Sequence, residues 1–217
     1  MDSLSSATDS AFATLRRFAR SRAPVEQCDF CNAELAAAHQ HLIEPEQRRL
    51  HCVCRACAIL FSSQGETKYR RVPERARALS DFQLTDAQWH NLMIPIQLAF
   101  IFHSSPAQRM IALYPSPAGP VESLLELAAW DEIAAANPAL KKMEPDVEAL
   151  LINRMRRGGS GEREYYVAPI DECFRLTGLL RAHWRGLSGG AQVWEEIARF
   201  FASLRARAVV NQKESCA

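Results

Sequence analysis

The stretch CDFCNAELAAAHQHLIEPEQRRLHCVCRACAIL, residues 28–60, decides the fold of the N-terminal part of the chain. It holds five cysteines and three histidines, more than the four ligands of a tetrahedral metal ion. Two C-x2-C pairs are separated by 22 residues. A tight turn in each pair directs two sulfurs inward, and two such turns facing each other form the four-thiolate site of a zinc ribbon. The pattern predicts one zinc ion per chain, held by Cys28, Cys31, Cys54 and Cys57.

The other possible donors in this stretch are predicted to lie beside the metal. In the run HCVC, an extended backbone directs Cys52 and Cys54 to the same face. Cys52 is therefore either a neighbour of the metal, a substitute ligand, or a small apolar residue that packs there. His39, His41 and His51 are further candidate neighbours. A site of three thiolates and one imidazole is chemically sound, but two complete cysteine pairs make it unnecessary.

Iron is the alternative to zinc, because four thiolates also bind iron in rubredoxin. Rubredoxin turns usually carry Gly after the first cysteine pair and Pro inside the second. The turns here read CDFCN and CRACA, which favours zinc. A catalytic zinc is not predicted, because the deaminase signature H-x-E…P-C-x-x-C and the protease signature H-E-x-x-H are both absent from the sequence.

Composition limits the classes of function. The chain has 217 residues, 48% hydrophobic and 24% charged, with a net charge of +1. Residues 25–70 carry five basic and six acidic side chains, a net charge of −1, which argues against nucleic acid as the partner. The first residues, MDSLSSATDS, do not resemble a secretory signal, and no stretch has the roughly 18 apolar residues of a membrane span. We expect a cytoplasmic protein without a membrane segment, where clustered thiols indicate metal more often than disulfides.

Changes in composition divide the chain into five segments. The cysteine module has few apolar residues, so metal is expected to supply much of its stability. A basic segment with five Lys or Arg against two Glu links it to the rest. The predicted segments are a leader helix or disordered leader (1–24), a metal-binding ribbon (25–65), a basic connector (66–80), an α+β domain (81–210) and a tail (211–217).

The α+β domain is predicted to be an antiparallel sheet covered by helices on one side. Short runs rich in Ile, Phe and Tyr, bounded by Pro, Ser or Gly, predict strands. Apolar residues at helical spacing predict helices, the first with Thr85 as N-cap. The predicted strands cover 96–105, 109–117, 146–155 and 162–170, and the predicted helices cover 84–92, 121–138, 170–186 and 189–207.

No catalytic residue is predicted in this domain. The sequence has no Gly-rich phosphate loop, no G-x-S-x-G motif and no dinucleotide fingerprint. Asp171 and His183 would lie about 18 Å apart on one helix, too far for a catalytic dyad. Cys173 falls on the apolar stripe of that helix and is predicted to be a core residue.

Several motifs together resemble an uncharacterised bacterial protein family. They are CDFC, HQHL, RRLHCVCRACAILF, FQLTDAQW, YPSPAG, EPDVEALLINR and PIDECFRLTGLLRAHWRGLSGG, spread over residues 28–207. Members of that family tend to be encoded beside the structural and maturation genes of oxygen-tolerant NiFe uptake hydrogenases. The resemblance implies this context and no mechanism.

Three functional hypotheses follow from these observations. The first is a non-catalytic, metal-binding accessory or assembly protein that contacts a NiFe-hydrogenase subunit or maturation factor. The second is a rubredoxin-like iron electron carrier or redox guard for hydrogenase assembly, and the third is an undiscovered enzyme. For the first hypothesis, the predicted partner-binding residues of the ribbon are Phe30, His39, His41 and Arg55.

Overall fold

The computed structural model describes residues 25–62, 68–123, 127–155 and 163–210. The predicted leader (1–24) and tail (211–217) lie outside these residues. In chain order, the elements are β1 (Gln40–Glu44), β2 (Arg49–Val53), α1 (Arg55–Ser62), β3 (Arg70–Arg71), β4 (Arg77–Ala78), α2 (Asp86–Asn91), β5 (Leu98–Ser104), β6 (Arg109–Ser116), β7 (Gly119–Glu122), α3 (Leu127–Ala136), a 3-10 helix (Pro138–Lys142), β8 (Glu148–Asn153), β9 (Glu164–Pro169), α4 (Ile170–His183), α5 (Gly190–Arg207) and β10 (Val209–Val210).

A seven-stranded sheet forms the centre of the protein, in the order β10-β4-β9-β8-β5-β6-β7. Its described pairings are antiparallel, except that β10 runs parallel to β4. The four predicted strands are confirmed as β5, β6, β8 and β9, because their β-branched and aromatic residues fit a buried sheet. The short strands β4, β7 and β10 were not predicted, since two to four residues carry no readable alternation.

Helices cover both faces of this sheet, so the expectation of helices on one side is wrong. Along β5, Phe100 and Phe102 face a core that includes α4 and α5. Ala99 and Ile101 face a second core that includes Trp89 of α2 and helix α3. All six residues of β8 are buried. Continuous apolar runs rather than alternating ones are typical of strands that are buried on both faces.

Two helix predictions have different outcomes. Thr85 is the N-cap of α2 and forms a capping box, in which Gln88 N donates to the Thr85 hydroxyl and the Gln88 side chain accepts from Thr85 N–H. The helix predicted over 121–138 is shorter than expected. Val121 and Glu122 belong to β7, α3 begins at Leu127, and Pro138 starts a 3-10 turn.

The cysteine module is a hairpin of β1 and β2, followed by α1 and joined by β3 on the other side of β1. A small core lies between the hairpin and the cysteine-bearing segments, and it contains Leu42, Val53 and Ala58. The opposite face of β1 packs elsewhere, since Ile43 belongs to the core beneath α4 and α5. The module therefore lies directly against the large sheet and its helices.

The segment predicted as a basic connector contributes to both sheets. Arg70–Arg71 pair with β1, and Arg77–Ala78 pair with β9. Val72, between them, is 3% exposed and belongs to the same core as Ile43. The division into independent domains stays a prediction. None of the helices in the described ranges combines the length and apolar character needed to cross a membrane.

Candidate metal centre

The first cysteine pair lies in a tight turn before the hairpin. Asn32 N donates to Cys28 O (2.9 Å) and Cys28 N donates to Ala33 O (2.8 Å), which closes the turn. Asn32 has φ 59°, a left-handed conformation that Asn tolerates better than most residues. Two hydrogen bonds between Asp29 and Cys52 join this turn to β2. The Asp29 N–H donates to Cys52 O, and the Asp29 carboxylate accepts from the Cys52 N–H (both 2.9 Å).

The second pair lies where β2 ends and α1 begins. Cys54 precedes the helix and Cys57 is in its first turn, so the two sulfurs are presented by a helix N-terminus rather than by a second turn between strands. Cys57 N lies 3.5 Å from Cys54 Sγ, and Cys54 N lies 3.3 Å from Cys28 Sγ. These N–H groups donate to sulfur and favour the thiolate, as the positive end of the helix dipole also does.

The four sulfurs of Cys28, Cys31, Cys54 and Cys57 lie within 4.8 Å of one another. Cys31 Sγ and Cys54 Sγ are 3.7 Å apart. A tetrahedral ion with metal–sulfur distances of about 2.3 Å has its sulfurs about 3.8 Å apart, so the spacing fits such an ion. Cys28 and Cys57 are buried and Cys31 is exposed, which places the site at the surface of the module. These four cysteines are positioned to hold a metal ion, as their spacing predicts.

The pKa is lowered at Cys28 and Cys54 and raised at Cys31 and Cys57. Burial acts to raise the pKa of Cys28, but N–H donors from Cys54, Phe30 and Cys31 outweigh it and lower this pKa to about 6. The N–H of Cys57 lowers the pKa of Cys54. Burial, followed by hydrogen bonds to the other sulfurs, raises the pKa of Cys57. The protein alone thus stabilises part of the negative charge, and a cation at the centre favours the thiolate form of all four.

The residues predicted to surround the metal occupy two separate places. His51 lies beside the first turn, with Nδ1 3.5 Å from Asp29 Oδ2 and its ring against Phe30 at 5.3 Å. Phe30 also contacts Phe61 of α1, at 4.6 Å between ring centroids. Arg55 is exposed at the start of α1. These contacts brace the first turn, while the partner-binding role of Phe30 and Arg55 stays a prediction.

Cys52 is not one of the four clustered sulfurs. One ligand atom from each of Cys52, His39 and His41 lies within 4.8 Å of the others, which defines a second group, the His-His-Cys cluster. The strand register explains this grouping, because Cys52 is the cross-strand partner of His41. β2 ends at Val53, directly after Cys52, and the role of Cys52 beside the four-cysteine site stays a prediction.

The sequence did not indicate the contact between His41 and Asp171. His41 Nδ1 lies 2.8 Å from Asp171 Oδ2, in the first turn of α4. No local motif connects two residues so far apart in the chain, and only the packing of the module on α4 brings them together. Cys173, predicted as a core residue, is fully buried, and burial raises its pKa well above the ordinary value.

Comparisons with known proteins add one finding. Searches of curated proteins and of solved structures found no match. A family profile described as "Family of unknown function (DUF5947)" matches residues 27–208. This range contains both the cysteine module and the large sheet, in agreement with the resemblance to an uncharacterised family. The chain therefore belongs to the DUF5947 family.

Proposed function

We propose that the protein is a non-catalytic accessory or assembly factor in which one zinc ion stabilises the cysteine module and the module contacts a protein partner. The observation that carries this proposal is the four-sulfur cluster at the start of α1, next to exposed apolar side chains on the same helix. Ile59 is 52% exposed and Leu60 is 63% exposed, directly after Cys57 and Ala58.

Zinc is proposed as the metal because four thiolates at tetrahedral spacing form a closed structural site. Such a site has no open position for substrate. Zinc binding would hold the first turn, the hairpin and α1 together, because the core of the cysteine module is small. The ion would stabilise the fold of the module, and the side chains around it would contact the protein partner.

The surface around α1 has the composition of a contact site. Ile59, Leu60 and Phe61 (37% exposed) follow one another in a helix that has no acidic residue in its first turn. Arg55 adds a positive charge at the start of the same helix. Arginine and aromatic residues are enriched in protein interfaces, whereas three consecutive large apolar residues are unusual on a surface that faces only water.

The partner is proposed to be a NiFe-hydrogenase subunit or maturation factor, on the basis of the family resemblance in the motifs quoted above. Charge argues for protein rather than nucleic acid, because three of the four arginines of the connector form ion pairs within the chain. Arg70 lies 3.1 Å from Asp146, Arg71 lies 3.4 Å from Glu74, and Arg77 lies 3.0 Å from Glu148.

Affinity purification from hydrogenase-expressing cells tests this proposal. The full chain is expected to recover a hydrogenase subunit or maturation factor, and Leu60→Asp is expected to weaken that recovery at least tenfold without loss of zinc. A matched control is Met93→Asp, at a 65% exposed residue outside the module, which should leave recovery unchanged. Recovery of nucleic acid alone, or of no protein, would overturn the proposal.

A rubredoxin-like iron site is the second candidate, favoured by the exposure of Cys31. Electron transfer needs a metal close to the surface, and an exposed sulfur ligand provides a short path. The two functions differ in the metal, because zinc has no redox chemistry. Anaerobically purified protein that is red, with thiolate-to-iron absorption that bleaches on reduction, would favour this second function.

A further inference from the structure

The His-His-Cys cluster is built by the strand register of the hairpin. His41 in β1 lies directly opposite Cys52 in β2. His39 is two residues before His41, so both side chains lie on the same side of the chain. The imidazole rings of His39 and His41 are 4.8 Å apart between centroids. Two strands thus direct two imidazoles and one thiol to a common point, separate from the four-cysteine site.

Both imidazoles are held through Nδ1 by oxygen atoms outside the cluster. His39 Nδ1 lies 2.9 Å from Ala36 O, with Glu26 Oε2 at 3.6 Å, and His41 Nδ1 lies 2.8 Å from Asp171 Oδ2. An oxygen that accepts the Nδ1 proton leaves a lone pair on Nε2. This is the arrangement found behind metal-bound histidines, where a carboxylate or a carbonyl fixes the tautomer and raises the basicity of the other nitrogen.

His39 provides an independent indication of a ligand. Its side chain is only 9% exposed, and its Nε2 is buried with no hydrogen-bond partner among the described residues. A buried polar atom without a partner costs free energy. A metal ion at the cluster would satisfy this nitrogen.

The cluster lines a cleft of about 740 Å³ between the module and α4, and Asp171 and Glu172 line the same cleft. An ion there is accessible from solvent, and the three protein ligands leave at least one coordination position open. Imidazole and thiolate together select borderline transition metals such as Zn²⁺ and Co²⁺ over Mg²⁺ and Ca²⁺. In a tetrahedral site the ligand atoms lie about 3.3–3.6 Å apart. The ligand atoms here lie within 4.8 Å of one another, so small side-chain rotations bring them to the distances of a tetrahedral site.

We propose that His39, His41 and Cys52 form a second metal site, which takes a divalent transition-metal ion and keeps one coordination position open to the cleft. Asp171 is a positioning residue for His41. With three ligands instead of four thiolates, this site binds its ion more weakly than the four-cysteine site, so it fills only when metal is added. The proposal is independent of the identity of any protein partner.

Titration of the full-length, zinc-loaded protein with Co²⁺ tests the second site. One equivalent of Co²⁺ is expected to bind, with tetrahedral visible absorption and a thiolate-to-cobalt charge-transfer band, while the first zinc is retained. Cys52→Ser should abolish the charge-transfer band, and His41→Ala should weaken Co²⁺ binding at least tenfold. Asp171→Asn should weaken it about 10–100-fold, the range seen when such supporting groups are removed.

Two controls keep the test independent of folding. His90→Ala changes an exposed histidine outside the module and should leave the titration unchanged. Zinc content of each variant, measured by native mass spectrometry, reports whether the four-cysteine site survives. The proposal is overturned if no second equivalent binds, if Co²⁺ binds only by displacing zinc, or if the charge-transfer band persists in Cys52→Ser.

Discussion

His41 Nδ1 lies 2.8 Å from Asp171 Oδ2, and this contact joins the hairpin of the cysteine module to the first turn of α4. Two further ion pairs connect the module and its neighbouring segment to the large sheet. Arg48 in the hairpin turn lies 3.4 Å from Glu122, and Arg70 lies 3.1 Å from the buried carboxylate of Asp146. The module therefore contacts the rest of the chain at several points.

The apolar part of this junction centres on Ile43. The side chain is 2% exposed and belongs to the core beneath α4 and α5. Ile43→Ala is expected to lower the free energy of unfolding by about 2–5 kcal/mol, measured by urea denaturation. Leu60→Ala, an exposed apolar residue of the same module, should change it by less than about 0.5 kcal/mol. Equal effects of the two substitutions would show that the module does not share the core.

Glu122 makes the junction sensitive to acid. Burial acts to raise its pKa, but Arg109 (2.6 Å) and Arg48 (3.4 Å) outweigh it, so the folded pKa lies below the ordinary value of 4.5. The contribution to stability is therefore complete above pH 4.5 and is lost as the pH falls through the lower folded pKa. Glu122→Gln should remove it at neutral pH.

Hydrogen exchange and denaturation against pH measure this effect. Glu122→Gln is expected to cost a few tenths to about 1 kcal/mol at pH 7, since the pairs are partly exposed, and its stability should depend less on pH below 4.5 than that of the wild type. Glu132→Gln alters an exposed carboxylate of α3 as the matched control. Identical pH profiles for Glu122→Gln and the wild type would contradict the assignment.

The cysteine substitutions distinguish the two clusters. Cys54→Ser is expected to lose the zinc and to increase hydrogen exchange throughout residues 25–62, because the first turn and α1 lose their common ligand. Cys52→Ser, two residues away, should retain the zinc and the protection. Native mass spectrometry and hydrogen exchange measure both effects. Full zinc occupancy in Cys54→Ser, or zinc loss in Cys52→Ser, would refute this division.

The two histidines of the His-His-Cys cluster were predicted as partner-binding residues. The double substitution His39→Ala and His41→Ala is expected to weaken recovery of the proposed hydrogenase partner without release of the metal at the four-cysteine site. Unchanged recovery of the partner would mean that the two histidines do not contact it and serve only the local structure or metal binding. Joint loss of recovery and zinc would mean that they support the fold of the module.

Local motifs predicted the parts of the structure that depend on neighbouring residues. The C-x2-C pairs identified the four sulfurs, and Thr85 identified the start of α2. The helix cap and the turn within each cysteine pair depend on contacts within a few positions along the chain. The apolar runs of β5 and β8 likewise identified strands, although their continuity was the sign of a sheet buried on both faces.

Features that depend on distant contacts could not be predicted in this way. Asp171 supports His41 only because the module packs on α4, and Arg77–Ala78 become a strand only by pairing with β9. The HCVC motif did not indicate that Cys52 lies opposite His41. The cross-strand register with His41, which decides its place, is a property of the hairpin and not of the HCVC motif.

X-ray absorption at the metal edge tests the central claim most directly. Protein holding one metal ion per chain should contain zinc surrounded by four sulfur atoms at about 2.3 Å, with no nitrogen or oxygen ligand. The same spectrum should be obtained from Cys52→Ser. A coordination shell that includes imidazole nitrogen, or a shell with fewer than four sulfurs, would contradict a site made by Cys28, Cys31, Cys54 and Cys57.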